Sequence, residues 1–158
     1  ITIVLTKSQY HKVKIKPFYK TVKKQFFTFF QGKSVLDLVS IDFDVDNISL
    51  FKKCDYTTVR IGYGKQMNLG YSIVRYSCLP VDTIICTDVF KYTEKYKEGL
   101  TNIVENLLKP GGLLLFSTSI AEEDIKKAID IDSIFKDYLL SYDKDKDFLY
   151  FWGIKKSI

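Results

Sequence analysis

Residues 34–39 read SVLDLV, a short apolar run that begins two positions after Gly32. Such a run predicts a strand that is buried on both faces, as in a parallel sheet. Ligands of parallel α/β sheets bind beyond the carboxyl ends of the strands. The stretch after residue 39, which continues SIDFDVD over residues 40–46, is therefore the first place where a binding site is expected.

Strands and helices alternate on either side of this run. Further strands are predicted where β-branched and apolar residues cluster, over residues 56–61, 71–75, 81–86 and 113–117. Helical patterns are found over residues 17–31, 46–53, 94–108 and 121–129, and the third is ended by a Lys-Pro-Gly-Gly turn at 109–112. Residues 130–137 are ambiguous, and 138–142 and 148–154 form a predicted hairpin. This order predicts an α/β fold: a Rossmann-like, doubly wound, mostly parallel sheet with a C-terminal antiparallel hairpin.

The size and charge of the chain suggest one domain with a basic beginning. A length of 158 residues predicts a single domain, divided into a basic segment and helix over 1–31 and a core over 32–158. The net charge is +5, and residues 1–33 contain eight lysines and no acid. This lysine-rich segment either contacts an anionic partner or is a solvated helix face.

Several classes of site are excluded by composition. The three cysteines, Cys54, Cys78 and Cys86, have no CxxC spacing, so they predict reduced thiols in a cytoplasmic protein, two of them buried. His11 is the only histidine, which argues against most metal sites and against a histidine-based catalytic triad. No apolar run approaches the ~20 residues that a membrane-spanning helix requires.

Four segments resemble the motifs of one enzyme family. They read GKSVLDL over 32–38, Leu79-Pro80, DTIICTDVF over 82–90 and LLKPGGLLLFS over 107–117. In this order and spacing they resemble the class I S-adenosylmethionine-dependent methyltransferases, from about residue 16 to residue 155. The resemblance implies a methyltransferase domain with S-adenosylmethionine as cofactor and an unknown methyl acceptor. It also implies a cofactor site formed by Asp37, Val39, Ser40, Ile41, Arg60, Ile61, Arg75 and Thr87.

The chain departs from the family at the centre of that site. Val39, Ile41 and Phe43 stand where the family has the glycines of its cofactor loop. Glycine permits a positive φ and leaves room for a ligand, whereas a β-branched residue does neither. Arg60 and Arg75 stand where the family has acids, so side chains with donors only replace acceptors.

Three functions are consistent with these residues. In an active methyltransferase, Asp88 and Tyr92 would orient or deprotonate the acceptor, although a turn acid and a helix-entry aromatic are the simpler explanations of these residues. Alternatively, the chain is an inactive pseudo-methyltransferase that serves as a binding or scaffold module for a protein partner. A third possibility is that Arg60 and Arg75 bind an anionic ligand, unless each reaches solvent or pairs with Asp42, Asp44 or Asp55.

Overall fold

A computed structural model describes residues 24, 33–40, 54–61, 77–87, 96–145 and 147–157. The predicted helices at 17–31 and 46–53 and the predicted strand at 71–75 lie outside these ranges, except that Lys24 is helical. The described strands are β1 Ser34–Ser40, β2 Asp55–Ile61, β3 Val81–Thr87, β4 Leu108–Thr118, β5 Phe135–Asp143 and β6 Phe148–Lys155. The described helices are α1 Tyr96–Asn102, a π-helical turn Ile103–Leu107, α2 Glu122–Ala128 and α3 Ile131–Ile134.

The strands form one sheet in the order β2-β1-β3-β4-β6-β5. β1 pairs in parallel with both β2 and β3, and β3 pairs in parallel with β4. β6 runs antiparallel to both β4 and β5, so the C-terminal hairpin forms one end of the sheet. The predicted α/β, mostly parallel sheet with an antiparallel hairpin is confirmed. The strand order reverses between β1 and β3, which makes this the topological switch point.

The Lys-Pro-Gly-Gly segment differs from its prediction. The helix ends at Leu107, and residues 109–112 belong to β4 as a bulge, not to a separate turn before it. Val81 pairs with Leu108 and Thr83 with Leu113, so four residues of β4 are accommodated opposite one residue of β3. Gly111 takes a φ of +77°, a conformation that favours glycine. The prediction was wrong here because the ladder with β3 begins before the bulge.

One face of the sheet packs against the described helices. Leu36, Leu38, Ile84, Cys86, Leu114 and Phe116 contribute to a single hydrophobic cluster with α1, the π-helical turn and α2. Phe151 of β6 lies in the same cluster, where its ring stacks on Phe116 with centroids 4.7 Å apart and meets the edge of Phe135 at 5.2 Å. We call this the apolar face.

The opposite face carries most of the buried polar side chains. Strand alternation places Asp37, Thr83, Thr87 and Ser117 on this face, and all four are at most 1% exposed. Val35, Ile85, Leu113 and Leu115 are buried around them. We call this the polar face. The hydrophobic cluster described above contains none of these eight residues.

Contacts from the C-terminal strand hold the end of the helical segment. The Lys155 ammonium donates hydrogen bonds to the carbonyl oxygens of Val104 and Leu108, at 2.5 and 3.0 Å. A cation at this position suits the negative end of the helix dipole.

Residues 130–137, whose sequence pattern is ambiguous, form α3 and the start of β5. Asp130 is the N-cap of α3, and its side chain accepts a hydrogen bond from the Ser133 N–H.

β5 is the outermost strand on the hairpin side of the described sheet. Most of its side chains are exposed, including Leu139 at 52% and Tyr142 at 54%. Of the three cysteines only Cys86 is buried, so the prediction of two buried thiols was wrong, and none of the three forms a disulfide. Within the described ranges no helix has the length and hydropathy needed to cross a membrane.

Candidate functional site

The topological switch point places the candidate site at the carboxyl ends of β1 and β3. Val39 lies opposite both Arg60 of β2 and Thr87 of β3, and Thr87 in turn lies opposite Ser117 of β4. These four positions form one row across the parallel part of the sheet. The chain continues from β1 to β2 on one side and from β3 to β4 on the other side. An α/β sheet of this kind binds its ligand beyond the carboxyl ends of the two strands at which the order reverses.

Asp37 is the acid that the structure brings to this end of β1. It lies one pleat before Val39 on the polar face and is fully buried. The Tyr56 hydroxyl of β2 donates a hydrogen bond to the Asp37 Oδ2 atom. The Thr58 hydroxyl donates to the Asp37 carbonyl oxygen at 3.4 Å. Both β2 contacts orient the Asp37 residue, and burying a carboxyl group requires hydrogen bonds of this kind.

Thr87 is the second predicted cofactor residue with a described side chain. It ends β3 and is fully buried on the polar face. Its neighbour in the row, Ser117, is also buried, and its Oγ atom has no hydrogen-bond partner within the described part of the chain. The hydroxyl of Thr83, four residues before Thr87, likewise has no hydrogen-bond partner within the described residues.

The other predicted site residues are placed in part or lie outside the described ranges. For Val39, Ser40, Arg60 and Ile61 the structure describes the backbone, which is extended and paired. Ile41, Arg75, Asp88 and Tyr92 lie outside the described residues. The proximity of Arg60 to Arg75 and the catalytic roles of Asp88 and Tyr92 therefore stay predictions.

The extended backbone of Val39 explains how the chain accommodates a β-branched residue there. β1 continues through Ser40, so the position of the family's first glycine is a strand residue in this chain. Val is favoured in strands, because its branched side chain packs well on a pleated surface. The first glycine replacement thus fits the local structure.

Cys86 is the nucleophilic side chain nearest to the site along β3, but its environment makes it inert. It points to the apolar face, where it is fully buried in the hydrophobic cluster. Burial, and secondarily the negative charge of Asp37, raises the pKa of the Cys86 thiol well above its usual value. A thiol that stays protonated is a poor nucleophile, so covalent catalysis by Cys86 is disfavoured.

Two side chains at the switch point can accept hydrogen bonds. Asp37 has carboxylate oxygens and Thr87 a hydroxyl, which are groups that pair with the hydroxyl and ammonium donors of an adenosyl amino acid. Groups of three or more His, Cys, Asp or Glu side chains arranged to hold a metal ion are absent from the described residues.

Two residues of this region were missed by the sequence analysis. Tyr56 was predicted only as the start of a strand, and Ser117 only as the end of one. The one-for-one register of β1 with β2 brings Tyr56 within reach of Asp37, a relation that no local pattern encodes. The signal available for Ser117 was a small polar residue at the end of a strongly apolar strand.

No family model matches the chain, and no curated protein matches it. Solved structures do resemble it. The N-methyltransferase NodS from Bradyrhizobium japonicum, in complex with S-adenosyl-L-homocysteine, superposes with a TM-score of 0.57 at 14% identity, over 91% of this chain and 90% of that one. A Burkholderia thailandensis 1,6-didemethyltoxoflavin-N1-methyltransferase gives 0.52 at 11% identity, over 94% and 84%.

The [4+2]-cyclase SpnF also matches, with a TM-score of 0.55 at 9% identity, over 89% of this chain and 80% of that one. This shows that the fold by itself does not specify the reaction. The chain has the class I methyltransferase fold.

Proposed function

We propose that this chain is an S-adenosylmethionine-dependent methyltransferase-like domain that binds its cofactor across the carboxyl ends of β1 and β3. The observation that carries the proposal is the buried Asp37 carboxyl at the switch point, oriented by the Tyr56 hydroxyl. An oriented acceptor at this place is what a ligand with several hydrogen-bond donors requires. The fold supports the same class of ligand, since NodS was solved in complex with S-adenosyl-L-homocysteine.

Each predicted residue has a role in this proposal. Asp37 and Thr87 accept hydrogen bonds from the cofactor, and residues 39–41 line it through their backbone. Arg60, Ile61 and Arg75 line the nucleoside side. When bound, the cofactor supplies an electrophilic methyl group. Asp88 and Tyr92 orient the acceptor and remove its proton, because methyl transfer requires an aligned and sufficiently nucleophilic acceptor atom.

The second candidate function is an inactive binding module with the same fold. It is favoured by the composition of residues 39–43, where no glycine is present. In this alternative, Arg60 and Arg75 bind an anionic group in place of the cofactor's hydroxyls. The structural similarity to the [4+2]-cyclase SpnF agrees with this alternative, because one fold can serve different functions.

Calorimetric titration of the full chain with S-adenosylhomocysteine tests the primary proposal. We expect saturable binding by the wild type and a loss of affinity of about 10- to 100-fold for Asp37→Asn, because hydrogen bonds to charged groups contribute about 1.5–3 kcal/mol. Asp82→Asn is the matched control, since Asp82 lies at the amino end of β3, away from the site. Its affinity should equal that of the wild type.

A wild-type chain that shows no binding at millimolar S-adenosylhomocysteine would overturn the primary proposal and favour the binding module. In that case, titration with inorganic phosphate at low and high salt tests the arginine pair. Binding that weakens with salt and disappears in Arg60→Ala would support an anion site. Phosphate binding that is unchanged in Arg60→Ala and Arg75→Ala would exclude it.

A further inference from the structure

Ser117 is an unusual residue for its position. It lies near the carboxyl end of β4, in a run whose four preceding residues, 113–116, are all apolar and buried. Its side chain is 1% exposed, and its Oγ atom has no partner within the described residues. A buried hydroxyl without a hydrogen bond is destabilising, so its presence calls for a reason.

Packing and strand propensity explain Thr83 but not Ser117. Thr83 has the same burial and also lacks a described partner, but its branched Cβ favours a strand and fills space on the polar face. Serine has neither advantage, because it lacks the second γ atom. The property that distinguishes serine at position 117 is therefore its hydroxyl group, which suggests that this group forms a hydrogen bond in the functional state of the protein.

The position of Ser117 relates it to the candidate site. It lies directly opposite Thr87, which in turn lies opposite Val39, so the three positions share one row across the sheet, with the side chains of Ser117 and Thr87 on the polar face. Neighbouring strands are about 4.8 Å apart, so a ligand reaching from β1 to β4 crosses about 10 Å. An adenosyl amino acid is longer than this. Thr83 lies four residues further back, about 13 Å from the row along the strand.

We infer that Ser117 is a ligand-contacting residue: its hydroxyl hydrogen-bonds to the cofactor and extends the binding site from β1 and β3 onto β4. This inference rests on the proposed function, because it takes S-adenosylmethionine or its demethylated product as the ligand. It accounts for the buried hydroxyl, since ligand binding supplies the missing partner. It also accounts for the difference between Ser117, in the row at the switch point, and Thr83, outside it.

The experiment compares Ser117→Ala with Thr83→Val in the full chain, using S-adenosylhomocysteine as the probe. Each variant removes one hydroxyl and keeps most of the side-chain volume. We expect Ser117→Ala to bind S-adenosylhomocysteine about 3- to 10-fold more weakly than the wild type, which is the effect of one neutral hydrogen bond. Thr83→Val should bind with the wild-type affinity.

Thermal unfolding without ligand separates a binding effect from a folding effect. Neither variant should melt below the wild type, because each removes a hydroxyl that lacks a described partner. Equal affinity of Ser117→Ala and wild type, or equal weakening in both variants, would overturn the inference while leaving the proposed function intact. Absence of binding by the wild type itself would overturn both.

Discussion

The two faces of the sheet are built differently. The apolar face is covered by described helices and contains aliphatic and aromatic side chains in one cluster. The polar face is equally well buried along β1, β3 and β4, yet it carries Asp37, Thr83, Thr87 and Ser117. Burial is therefore not what distinguishes the faces. Buried polar groups are energetically expensive unless they are hydrogen-bonded, so their concentration on one face indicates a role other than stability.

This difference predicts which kind of substitution destabilises each face. The apolar face depends on close packing, so it should be sensitive to lost volume. The polar face depends on particular hydrogen bonds, so it should be sensitive to single atoms even when volume is kept. Substitutions on each face can test this contrast.

The largest effect is expected from Phe151→Ala on the apolar face. The substitution removes a ring that packs against both Phe116 and Phe135, so it should lower the free energy of unfolding by about 3–5 kcal/mol. Chemical denaturation of the full chain measures the change. Leu139→Ala on exposed β5 is the control and should change stability by no more than about 0.5 kcal/mol. Comparable losses in the two variants would show that this face is loosely packed.

An intermediate effect is expected from Tyr56→Phe, which removes a single oxygen atom beside the polar face. The change takes one donor from the buried Asp37 carboxyl and should lower the free energy of unfolding by about 1.5–3 kcal/mol. Tyr138→Phe is a matched control, because its hydroxyl donates to Asp132 in an exposed position. If both substitutions lower the free energy of unfolding by the same small amount, the hydrogen bond to Asp37 stabilises the fold no more than an exposed one does.

The smallest effect is expected from Asp82→Asn, at the solvent-accessible amino end of the apolar face. Partial burial raises the pKa of Asp82, but the Ser34 N–H and hydroxyl, together with Lys109 and Lys33, outweigh it and hold the pKa below its usual value of 3.8. The folded state therefore favours the ionised form. Its stabilising contribution is present above about pH 4 and is lost as the pH falls through the lowered pKa.

The measurement for Asp82→Asn is the unfolding free energy as a function of pH. The wild type should exceed the variant near neutral pH, and the two curves should converge as the pH falls below about 4. A difference that persists unchanged to pH 2 would mean that the ionisation of Asp82 is not responsible. The ion pair between Asp82 and Lys109 lies at the solvent-accessible edge of the sheet. Its loss should therefore lower the free energy of unfolding by less than Phe151→Ala or Tyr56→Phe does.

Much of the fold could be predicted from local patterns. β1, β3 and β6 were predicted nearly to their observed ends, and β5 to its carboxyl end, because buried strands and alternating hairpin strands have distinctive sequences. The bulge in β4 was not, since a glycine pair after proline is typical of turns and the ladder with β3 is a tertiary property. The start of β5 was missed because α3 runs directly into it.

The motif pattern singled out Asp37 and Thr87 as candidate site residues, and the structure places Asp37 on β1 and Thr87 at the end of β3, both buried. Their role in ligand binding stays a prediction, and the contacts around them could not be predicted. The Tyr56 contact depends on strand register, and the isolation of the Ser117 hydroxyl depends on what surrounds it in three dimensions. Neither has a sequence signature, because side chains from distant positions meet only after the sheet has formed.

The exposed β5 strand has a consequence for the behaviour of the protein in concentrated solution. Strands at sheet edges can add a strand from another molecule and so start polymerisation. β5 presents Leu139 and Tyr142 to solvent, which would favour such addition. Lys136, Asp137 and Asp143 flank these side chains with charge, and a bulge between Phe135 and Asp137 makes the pairing of β5 with β6 irregular at its start. These features act as gatekeepers against aggregation, a task separate from both stability and ligand binding.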